Sequence, residues 1–531
     1  MSHSSSIFNR VPIDLPNKSG FNLDHENGFT ATCGTLVPCL VHPLLPNDTI
    51  SLGTNFQVQL PAMVTDFYGK VDAVIESFFV PYRLLWAGWE SFVTHPTKNP
   101  RYPEGTPYQM KPTRVPLMSA ATLTQAAAGA GTLSDYLGYK VASDTLAPAA
   151  NVEISAFPWL AYHMIYDKWY RDSRIQAPLF YAPAVGASPG MTAATAPYCS
   201  VISSTNLVGP TYAINSALGD GVSLGSLRQR NWSKGYFTTA SPYPQAGGDS
   251  EITFDVADSK GAISISAIRS ANALQKWMER NNFSYEYGDQ IYGQYGIYPD
   301  AAKMDKPIYL GRVKQTVYSR SVFQTANGDG ASLNDVVGSK KASSQAIGEG
   351  RLIDKFTASE HGLLMCIFSL VPHGYYSTGC SRYLFETEME DVPFPLLAGM
   401  GDQPIYDAEL NGSLPATFKD SIFGYTDLYA HYKYMEDEVH GLMRDGESLD
   451  QYQLQRSFGT DVELGTEFLQ IPITAMDQVQ AVNTSTQGFS CWSDVFFKFT
   501  KISTLPAYSL PTLGDLKNTH KGAMSRGGSR L

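Results

Sequence analysis

Carboxylates and histidines are the side chains of this sequence that could take part in acid–base chemistry. Glu360 and His361 are adjacent just before an apolar stretch, and such a pair could act as a general acid and base. A hydrogen bond at a strand edge is the more common role, since no third partner lies nearby in the sequence. A glycosidase needs two carboxyl groups at a set separation, and candidates are numerous: Asp300, Asp305, Asp402 and the run 386–391.

The short motifs of two well-known enzyme classes are missing from the chain. Neither an HExxH zinc motif nor a P-loop is present. Gly129-Ala-Gly131 is only a weak match to a dinucleotide-binding loop, and His25, His42 and His95 have no metal-ligand spacing. The sequence therefore predicts no catalytic residue, no cofactor and no metal.

The last part of the sequence differs in kind from the rest because it is basic. No acid follows Asp515, and glycines within 522–528 predict a flexible segment. Two interpretations remain open: a solvated tail, or an arm whose cations neutralise phosphates. On the second interpretation the residues facing DNA are Lys517, His520, Lys521, Arg526 and Arg530.

Among the elements that must position such residues, the stretch 71–93 is the most informative. Val71, Ala73, Ile75 and Phe79 share one face at period two, which predicts a strand. Pro81 ends the ladder and suits the first position of a helix. Apolar residues at i, i+4, i+7 and i+8 after it predict one helical face: Leu85, Trp89, Phe92 and Val93.

Other segments predict an alternation of strands with long connections. The strongest helix pattern is 157–174, where Tyr162, Ile165, Tyr166 and Trp169 share a face. The apolar run 363–371 predicts one buried strand, and the prolines of 34–49 predict an edge path with kinks. Further strand patterns occupy 429–434 and 494–500.

Large aromatic residues are the candidates for subunit contact. Interface cores are enriched in Trp, Tyr and Arg, and five residues stand out in the two helical segments: Trp86, Trp89, Trp159, Trp169 and Tyr170. Core packing within the subunit is the alternative role for each of them, and it is the more common one.

Composition describes a globular chain with a large core. The 531 residues are 43% hydrophobic, 12% aromatic and 17% charged, with a net charge of −11 that argues against a surface devoted to nucleic acid. The six cysteines are scattered without CxxC spacing, so we expect free thiols in a reducing compartment. Neither a signal peptide nor a membrane-spanning segment is expected.

The order of these elements predicts the fold class. Strand patterns lie at both ends of the chain, with helices and long loops between them, and this arrangement is typical of an antiparallel sandwich of the jelly-roll type. A β-sandwich carbohydrate-binding protein or glycosidase is the alternative function, because aromatic residues and carboxylates are abundant.

Several stretches resemble the major capsid proteins of the Microviridae, and of their gokushovirus-like branch in particular. FFVPYRLLWAGWESF (78–92) is similar to the family pattern FFVPxRLxWxxWxxF, and LAYHMIYDKWYRD (160–172) to AYxxIYxxWxRD. Further matches follow the family order: GTLVPCLVHPLLPNDT (34–49), ALQKWMERN (273–281), YGIYPDAAKMDKPIYLG (295–311), FGYTDLYAHYKY (423–434) and LPAYSLPTLGD (505–515).

The resemblance implies an eight-stranded antiparallel jelly roll that self-assembles into a small T=1 icosahedral shell around circular single-stranded DNA, without catalysis. It implies an N-terminal arm over 1–30, a capsid domain over 31–515 with insertions near 95–157, 182–262 and 313–350, and a basic tail over 516–531. The implied partners are further copies of the chain, packaged DNA, a small basic DNA-binding phage protein, a minor pilot-type protein and a host receptor. Assembly is expected in the bacterial cytoplasm, and the virion is the expected location.

Overall fold

The structure is a computed structural model of the chain. It describes residues 18–65, 67–86, 89–93, 115–118, 129–139, 154–179, 212–214, 224–244, 269–270, 273–274, 276–277, 287–297, 300, 305–323, 340–387, 389–396, 401–411, 421–458 and 462–507. The segment 95–114, most of the insertion expected at 182–262, and the tail 516–531 lie outside this part of the chain.

Strands dominate the described residues. They are β1 (Ser19–Asn22), β2 (His25–Ala31), β3 (Val37–Leu44), β4 (Thr49–Gln59), β5 (Val71–Pro81), β6 (Pro116–Met118), β7 (Tyr212–Ile214), β8 (Ile308–Phe323), β9 (Lys340–Thr357), β10 (Gly362–Pro372), β11 (Tyr375–Tyr376), β12 (Asp402–Tyr406), β13 (Ile422–Asp427), β14 (Gln455–Arg456) and β15 (Cys491–Ser503).

Helices are short and lie mostly between the strands. They are α1 (Tyr82–Leu85), α2 (Trp89–Val93), α3 (Leu133–Tyr136), α4 (Phe157–Ile165), α5 (Tyr287–Tyr295), α6 (Ala408–Asn411), α7 (Thr466–Leu469) and α8 (Thr484–Gln487). A π-helical turn, Tyr166–Tyr170, continues α4. Short 3₁₀ turns cover Arg382–Phe385, Met389–Asp391, Ala430–Tyr432, Gly441–Met443 and Asp450–Tyr452.

The main sheet is antiparallel throughout. Its order in the described part is β1-β15-β4-β9-β8-β5-β10-β3, and β2 also pairs with β15. β8 joins the two halves, because its first part pairs with β5 and its last six residues pair with β9. The fold is thus mainly β and of the viral jelly-roll type; these strands number nine, so the count of eight stays a prediction.

The principal core lies between the two halves of this sheet. It contains side chains from β3, β4, β5, β10 and β15, including Leu52, Phe79, Phe368 and Phe497. β5 and β10 are buried along their whole length, which means that both of their faces are covered. Burial of apolar area contributes about 25 cal/mol per Å², so these two strands are the most strongly stabilised part of the sheet.

A second core covers the outer faces of β5 and β10. Phe78 and Val80 from β5 and Met365 from β10 contact the helix α4, together with Trp86 from the turn after α1. Pro158 stands in the first turn of α4, where a missing N–H is not needed. The alternation predicted for 71–80 is confirmed, since Val71, Ala73, Ile75 and Phe79 belong to the principal core.

A third, smaller core lies outside the main sheet. It packs β11, β12, β13, α6 and α7 around Phe237, Ile405, Phe423 and Phe468. β12 and β13 form an antiparallel pair, and β11 and β14 form a short parallel pair. The segment 429–434, predicted as a strand, is instead a turn with a 3₁₀ helix at Ala430–Tyr432. Its entry, Tyr429, has a left-handed backbone with φ of 60°, which a strand cannot contain.

The single helix predicted after Pro81 is wrong in detail. Pro81 is the last residue of β5 and precedes the helix in an extended conformation, with φ −63° and ψ 137°. The helix then breaks after one turn, because Trp86 is extended with φ −153° and ψ 118°. α2 begins only at Trp89. The aromatic residues of 85–93 therefore contact the core from two short helices rather than from one face of a single helix.

Other segments predicted from the sequence can be compared directly with the strands of the structure. β3 stands at the end of the sheet order, as the edge path of 34–49 predicts, and its register shifts opposite Cys366 and Ile367. The buried strand predicted at 363–371 is β10. The insertion expected at 313–350 overlaps β8 and β9. The arm expected at 1–30 overlaps β1 and β2.

The cysteines of the described residues are free thiols, as the sequence predicts. Cys33, Cys39, Cys366, Cys380 and Cys491 are free, and all except Cys380 are buried. Burial raises the pKa of the Cys39 thiol to about 12, so this thiol stays protonated. None of the helices in the described part is long and apolar enough to cross a membrane.

Candidate functional site

Three of the five aromatic residues predicted as contacts belong to the subunit's own core. Trp86 and Trp159 are each 2% exposed, and the indole Nε1 of Trp159 donates a hydrogen bond to Ser134 Oγ at 3.3 Å. Trp89 is partly buried and packs against the rings of Tyr82 and Phe157, with centroids 4.8 and 5.7 Å away. These three residues hold α1, α2 and α4 together.

Tyr170 is held in a polar network beneath the surface. Its hydroxyl donates to Glu76 Oε2 at 2.6 Å, and Arg230 Nη1 donates to the same oxygen at 2.8 Å. Arg230 also donates to Ser369 Oγ and lies over the Tyr170 ring, 5.3 Å from its centroid. Burial, and then the charge of Glu76, raise the pKa of the Tyr170 hydroxyl well above its usual value. Tyr170 therefore anchors the π-helical turn on β5.

Trp169, the next residue back, is oriented outward. Trp169 is 39% exposed, although the helical pattern predicts a face shared with the buried Tyr162, Ile165 and Tyr166. The π-helical turn is the reason: each residue in a wider turn advances through a smaller angle, so position i+7 leaves the buried face.

The exposed indole of Trp169 is nevertheless fixed in place. Its Nε1 donates to the Pro307 carbonyl oxygen at 2.9 Å, and the Lys306 ammonium lies 4.7 Å from the ring centroid. The rings of Tyr309 and Phe78 lie 5.5 and 5.9 Å away. A rigid, half-exposed aromatic side chain loses little conformational entropy on contact, which suits a binding surface.

A cavity of about 910 Å³ adjoins Trp169. The residues that line it include both cations and carboxylates, so the lining is not uniformly of one charge. The cations are Arg171, Arg174, Arg230, Lys234, Arg312 and Lys314, and the carboxylates are Asp72, Asp172, Asp289, Asp402 and Asp427. An arrangement with both signs of charge can receive a polar protein surface, and neither sign alone dominates it.

Asp72 is the most buried carboxylate of this cavity. Its Oδ2 lies 2.7 Å from His373 Nε2 and 2.6 Å from Lys314 Nζ, and Thr316 donates to its Oδ1 at 2.8 Å. Burial raises the pKa of this carboxyl, but the hydrogen bonds from His373, Lys314 and Thr316 outweigh burial and hold the pKa well below its usual value. Asp72 is thus an ionised anchor on β5.

The residues considered for acid–base chemistry take part in structural pairs. Arg83 donates to Asp305 Oδ1 at 2.6 Å and to Glu360 Oε2 at 3.2 Å, which ties α1 to two loops. The ring of His361 packs against Trp89, with centroids 5.6 Å apart. Glu360 and His361 thus take part in an ion pair and a ring contact.

Two further candidates, Glu386 and His42, also take part in structural contacts. Glu386 accepts a hydrogen bond from His431 at 2.9 Å. His42 lies 3.3 Å from Lys501 Nζ, and burial together with the Lys501 charge lowers the pKa of His42 to about 4. Among the residues that the structure describes, no group of three or more His, Cys, Asp or Glu side chains could hold a metal ion. The residues predicted to face DNA, Lys517, His520, Lys521, Arg526 and Arg530, lie outside the described residues.

One exposed surface escaped the sequence reasoning. Tyr383, Tyr432, Tyr434 and Met435 are exposed around a second cavity of about 560 Å³. Its signal in the sequence is the acidic run 436–438 directly after two tyrosines and a methionine. The strand pattern over 429–434 hid this signal, because alternation assigns every second side chain to a buried face.

A mainly β, antiparallel fold of the jelly-roll type is typical of viral capsid proteins. The chain belongs to the family described as capsid protein (F protein), whose model matches residues 10–253 and 182–513. It is therefore a structural protein of the virion of a Microviridae bacteriophage, and subunits of this family form an oligomeric shell.

Two relatives match almost the whole chain. The capsid protein VP1 of Chlamydia phage 1 is 25% identical over 602 aligned residues, which cover 95% of this chain and 97% of the relative. The capsid protein VP1 of Bdellovibrio phage phiMH2K is 24% identical over 547 residues, which cover 96% and 98%. Both relatives come from gokushoviruses, in agreement with the resemblance of the sequence motifs.

Proposed function

We propose that the chain builds a small closed icosahedral shell with T=1 symmetry around circular single-stranded DNA, and that it has no catalytic role of its own. The observation that carries the proposal is the fixed, half-exposed indole of Trp169 at the rim of a polar cavity. In closed symmetry a contact made once per subunit is repeated at every subunit, so a modest contact suffices.

Trp169 is the subunit contact in this proposal, and Tyr170 supports it. The Glu76–Tyr170–Arg230 network fixes the turn that carries Trp169, while Lys306 and Tyr309 cover the sides of its ring. Aromatic residues of this kind, set in a preformed surface, carry most of the binding energy of protein interfaces.

A Trp169→Ala variant tests this contact. We expect its free energy of unfolding as a subunit to fall by less than about 1.5 kcal/mol, because the side chain is half exposed, while shells become at least tenfold less abundant in sedimentation. Trp492→Ala is the matched control, since Trp492 is 41% exposed on β15 and is expected to leave shell formation unchanged. Normal shells from Trp169→Ala would reject the proposed contact.

The basic tail is the proposed DNA contact. Its cations follow Asp515 in a chain whose net charge is −11, so the positive charge is concentrated in one segment. Cations that neutralise phosphates release counterions, which makes the interaction weaken as salt rises. Deletion of residues 516–531 is expected to lower the DNA content of purified particles, and more so at high salt. Unchanged DNA content at every salt concentration would contradict this role.

The other partners belong to the same proposal. They are a small basic DNA-binding phage protein, a minor pilot-type protein and a host surface receptor, with assembly in the bacterial cytoplasm. They rest on the resemblance to the family. Purification of particles from infected cells, followed by mass spectrometry of all copurifying proteins, tests the two virion partners directly.

A further inference from the structure

An exposed surface that is both acidic and aromatic surrounds the second cavity. We call it the acidic aromatic face, and define it by the exposed residues Tyr383, Tyr432, Tyr434, Met435, Asp437, Glu438, Leu442, Asp445 and Glu447. Met435 is 89% exposed, an unusual position for a large apolar side chain. Exposed apolar patches rimmed by polar residues mark interaction sites.

The floor beneath this face is rigid. Glu409 accepts hydrogen bonds from Arg382 at 2.9 Å and from the Tyr236 hydroxyl at 3.1 Å. Arg382 also lies over the ring of Tyr406, 4.5 Å from its centroid. The cavity of about 560 Å³ therefore has fixed walls, and a partner would meet a preformed surface.

The charge of this region determines which partner fits. Segments 382–391 and 429–450 contain ten acidic residues and three Lys or Arg residues, a net charge of −7 within a chain of −11. A complementary partner is a basic segment that also carries apolar side chains. The chain itself contains one such segment, 508–531, where Tyr508 and Leu510 precede Lys517, Lys521, Arg526 and Arg530.

The position at which β15 ends determines whether the segment comes from the same copy of the chain or from a neighbouring copy. β15 ends at Ser503, beside the corner where Asp48 pairs with Lys501 at 2.9 Å. The acidic aromatic face lies beyond the other end of the sheet, because the Tyr376 backbone, four residues after β10, bonds to Asp437 and Val439. β10 alone spans 11 residues, which is about 36 Å.

The first cation of the tail, Lys517, cannot comfortably reach the acidic aromatic face of its own subunit. Ten peptide units separate Ala507 from Lys517, so they span at most about 35 Å when fully extended. The tail would also have to pass around the sandwich, which lengthens the path. A second copy beside the Ser503 end removes this limit.

We propose that the basic segment 517–530 of one copy docks on the acidic aromatic face of a neighbouring copy. The inference rests on the proposed shell only in requiring a second copy. Lys and Arg side chains meet Asp437, Glu438 and Glu447, and the apolar side chains of Ala523 and Met524 cover Tyr434 and Met435. Single-stranded DNA competes for the same cations, so DNA is expected to displace the docked segment.

Zero-length cross-linking of the full chain tests the proposal. A DNA-free mixture of ¹⁴N- and ¹⁵N-labelled protein is treated with a carbodiimide and digested for mass spectrometry. We expect mixed-isotope cross-links from Lys517 or Lys521 to Asp437, Glu438, Asp445 or Glu447, and we expect added single-stranded DNA to reduce them at least fivefold. Lys498 and Glu349, an ion pair at 4.0 Å within one subunit, provide the positive control.

Three outcomes would overturn the docking. The first is the absence of tail cross-links while the Lys498–Glu349 product forms. The second is that every tail cross-link joins peptides of the same isotope, which means that it forms within one copy. The third is that the tail cross-links persist unchanged when DNA is added. Shell formation is scored separately by sedimentation. Shells without tail cross-links reject the docking alone, and mixed-isotope cross-links without shells reject the proposed shell alone.

A binding measurement with variants identifies the partner more closely. A fluorescent peptide of residues 508–531 is titrated into the full chain, and the combined Asp437→Asn, Glu438→Gln and Glu447→Gln changes should weaken it about tenfold, as expected for three exposed ion pairs. The matched control, Glu349→Gln with Asp354→Asn on β9, should change the affinity less than twofold. Equal weakening by both sets, or equal binding of an unrelated arginine-rich peptide, contradicts the tail as the partner.

Discussion

At the scale of single residues, the five aromatic residues in the two helical segments separate by their environments. Trp86 and Trp159 are enclosed, Trp89 packs among rings, Tyr170 is tied to Glu76, and Trp169 alone is exposed enough to meet a neighbour. Sequence reasoning identified all five as candidates for core or contact. It could not separate them, because core and interface select the same residue types.

Trp86→Ala should destabilise the subunit itself. Trp86 is fully enclosed between α1 and α4, so its removal leaves a cavity and should lower the free energy of unfolding by about 3–5 kcal/mol. Urea unfolding followed by circular dichroism measures this change. Trp492→Ala on the exposed side of β15 is the control and should cost less than about 1.5 kcal/mol. Similar losses from both variants would contradict the assigned core position.

Asp72→Asn should show a pH dependence of defined sign. The pKa of Asp72 is lower in the folded protein than its value of 3.8 in the unfolded chain, so its stabilisation is present above about pH 5 and declines as pH falls toward the folded pKa. At pH 7 the variant should lose about 1–3 kcal/mol of unfolding free energy, and below pH 4 the gap should narrow.

Chemical denaturation at several pH values measures the Asp72→Asn gap. Asp354→Asn is the control, because the side chain of Asp354 is exposed and pairs with Arg351 on the same strand. A gap for Asp72→Asn that stays constant or widens below pH 4 would show that the ionised carboxylate does not stabilise β5 through Lys314 and His373.

At the scale of elements, the informative features are places where a regular pattern is interrupted. The π-helical turn after α4 presents Trp169 outward, and the extended Trp86 divides the predicted helix into α1 and α2. β8 continues through a register break near Ser77 and Phe78 and passes from one half of the sheet to the other. Single-sequence periodicity assumes constant geometry, so it predicts the elements and misses these interruptions.

Gly311→Ala should disrupt the crossing of β8. A Cβ at Gly311 would collide with the carbonyl oxygen of Leu352 on β9, and a backbone atom cannot move aside as a flexible side chain can. We expect a loss of about 2–3 kcal/mol in unfolding free energy. Gly20→Ala in β1 is the matched control, because nothing lies within 4 Å of its Cβ position. Equal stability of the two variants would contradict the close approach.

At the scale of the whole molecule, β5 and β10 couple the two large cores. Leu364, Cys366 and Phe368 contact the principal core, while the alternate residues Met365 and Ile367 contact the second. Neither core can lose its packing without exposing the other face of the same strands. The third core lies outside the main sheet, and its segments carry the acidic aromatic face that the proposed neighbour contacts.

The two large cores should therefore unfold together. Cys33, Cys39, Cys366 and Cys491 report on the principal core, and Trp86, Trp89 and Trp159 report on the second. In a Cys199→Ser, Cys380→Ser background, thiol labelling and tryptophan fluorescence should give the same urea midpoint, as a cooperative transition requires. Urea midpoints that differ by more than about 0.5 M would show that the two cores unfold independently. The free energy of unfolding typically changes by about 1–3 kcal/mol per M of urea, so a difference of this size is measurable.

The sequence by itself determined the fold class, the strands β5, β10 and β15, and the family. These follow from local periodicity and from short ordered motifs, which are properties of neighbouring residues. Only the tertiary structure decided that Trp169 is exposed while Trp86 is buried, that Glu360 pairs with Arg83, and that Met435 lies on an acidic surface. Those facts depend on residues far apart in the chain, because burial and ion pairing are set by three-dimensional packing that local patterns do not encode.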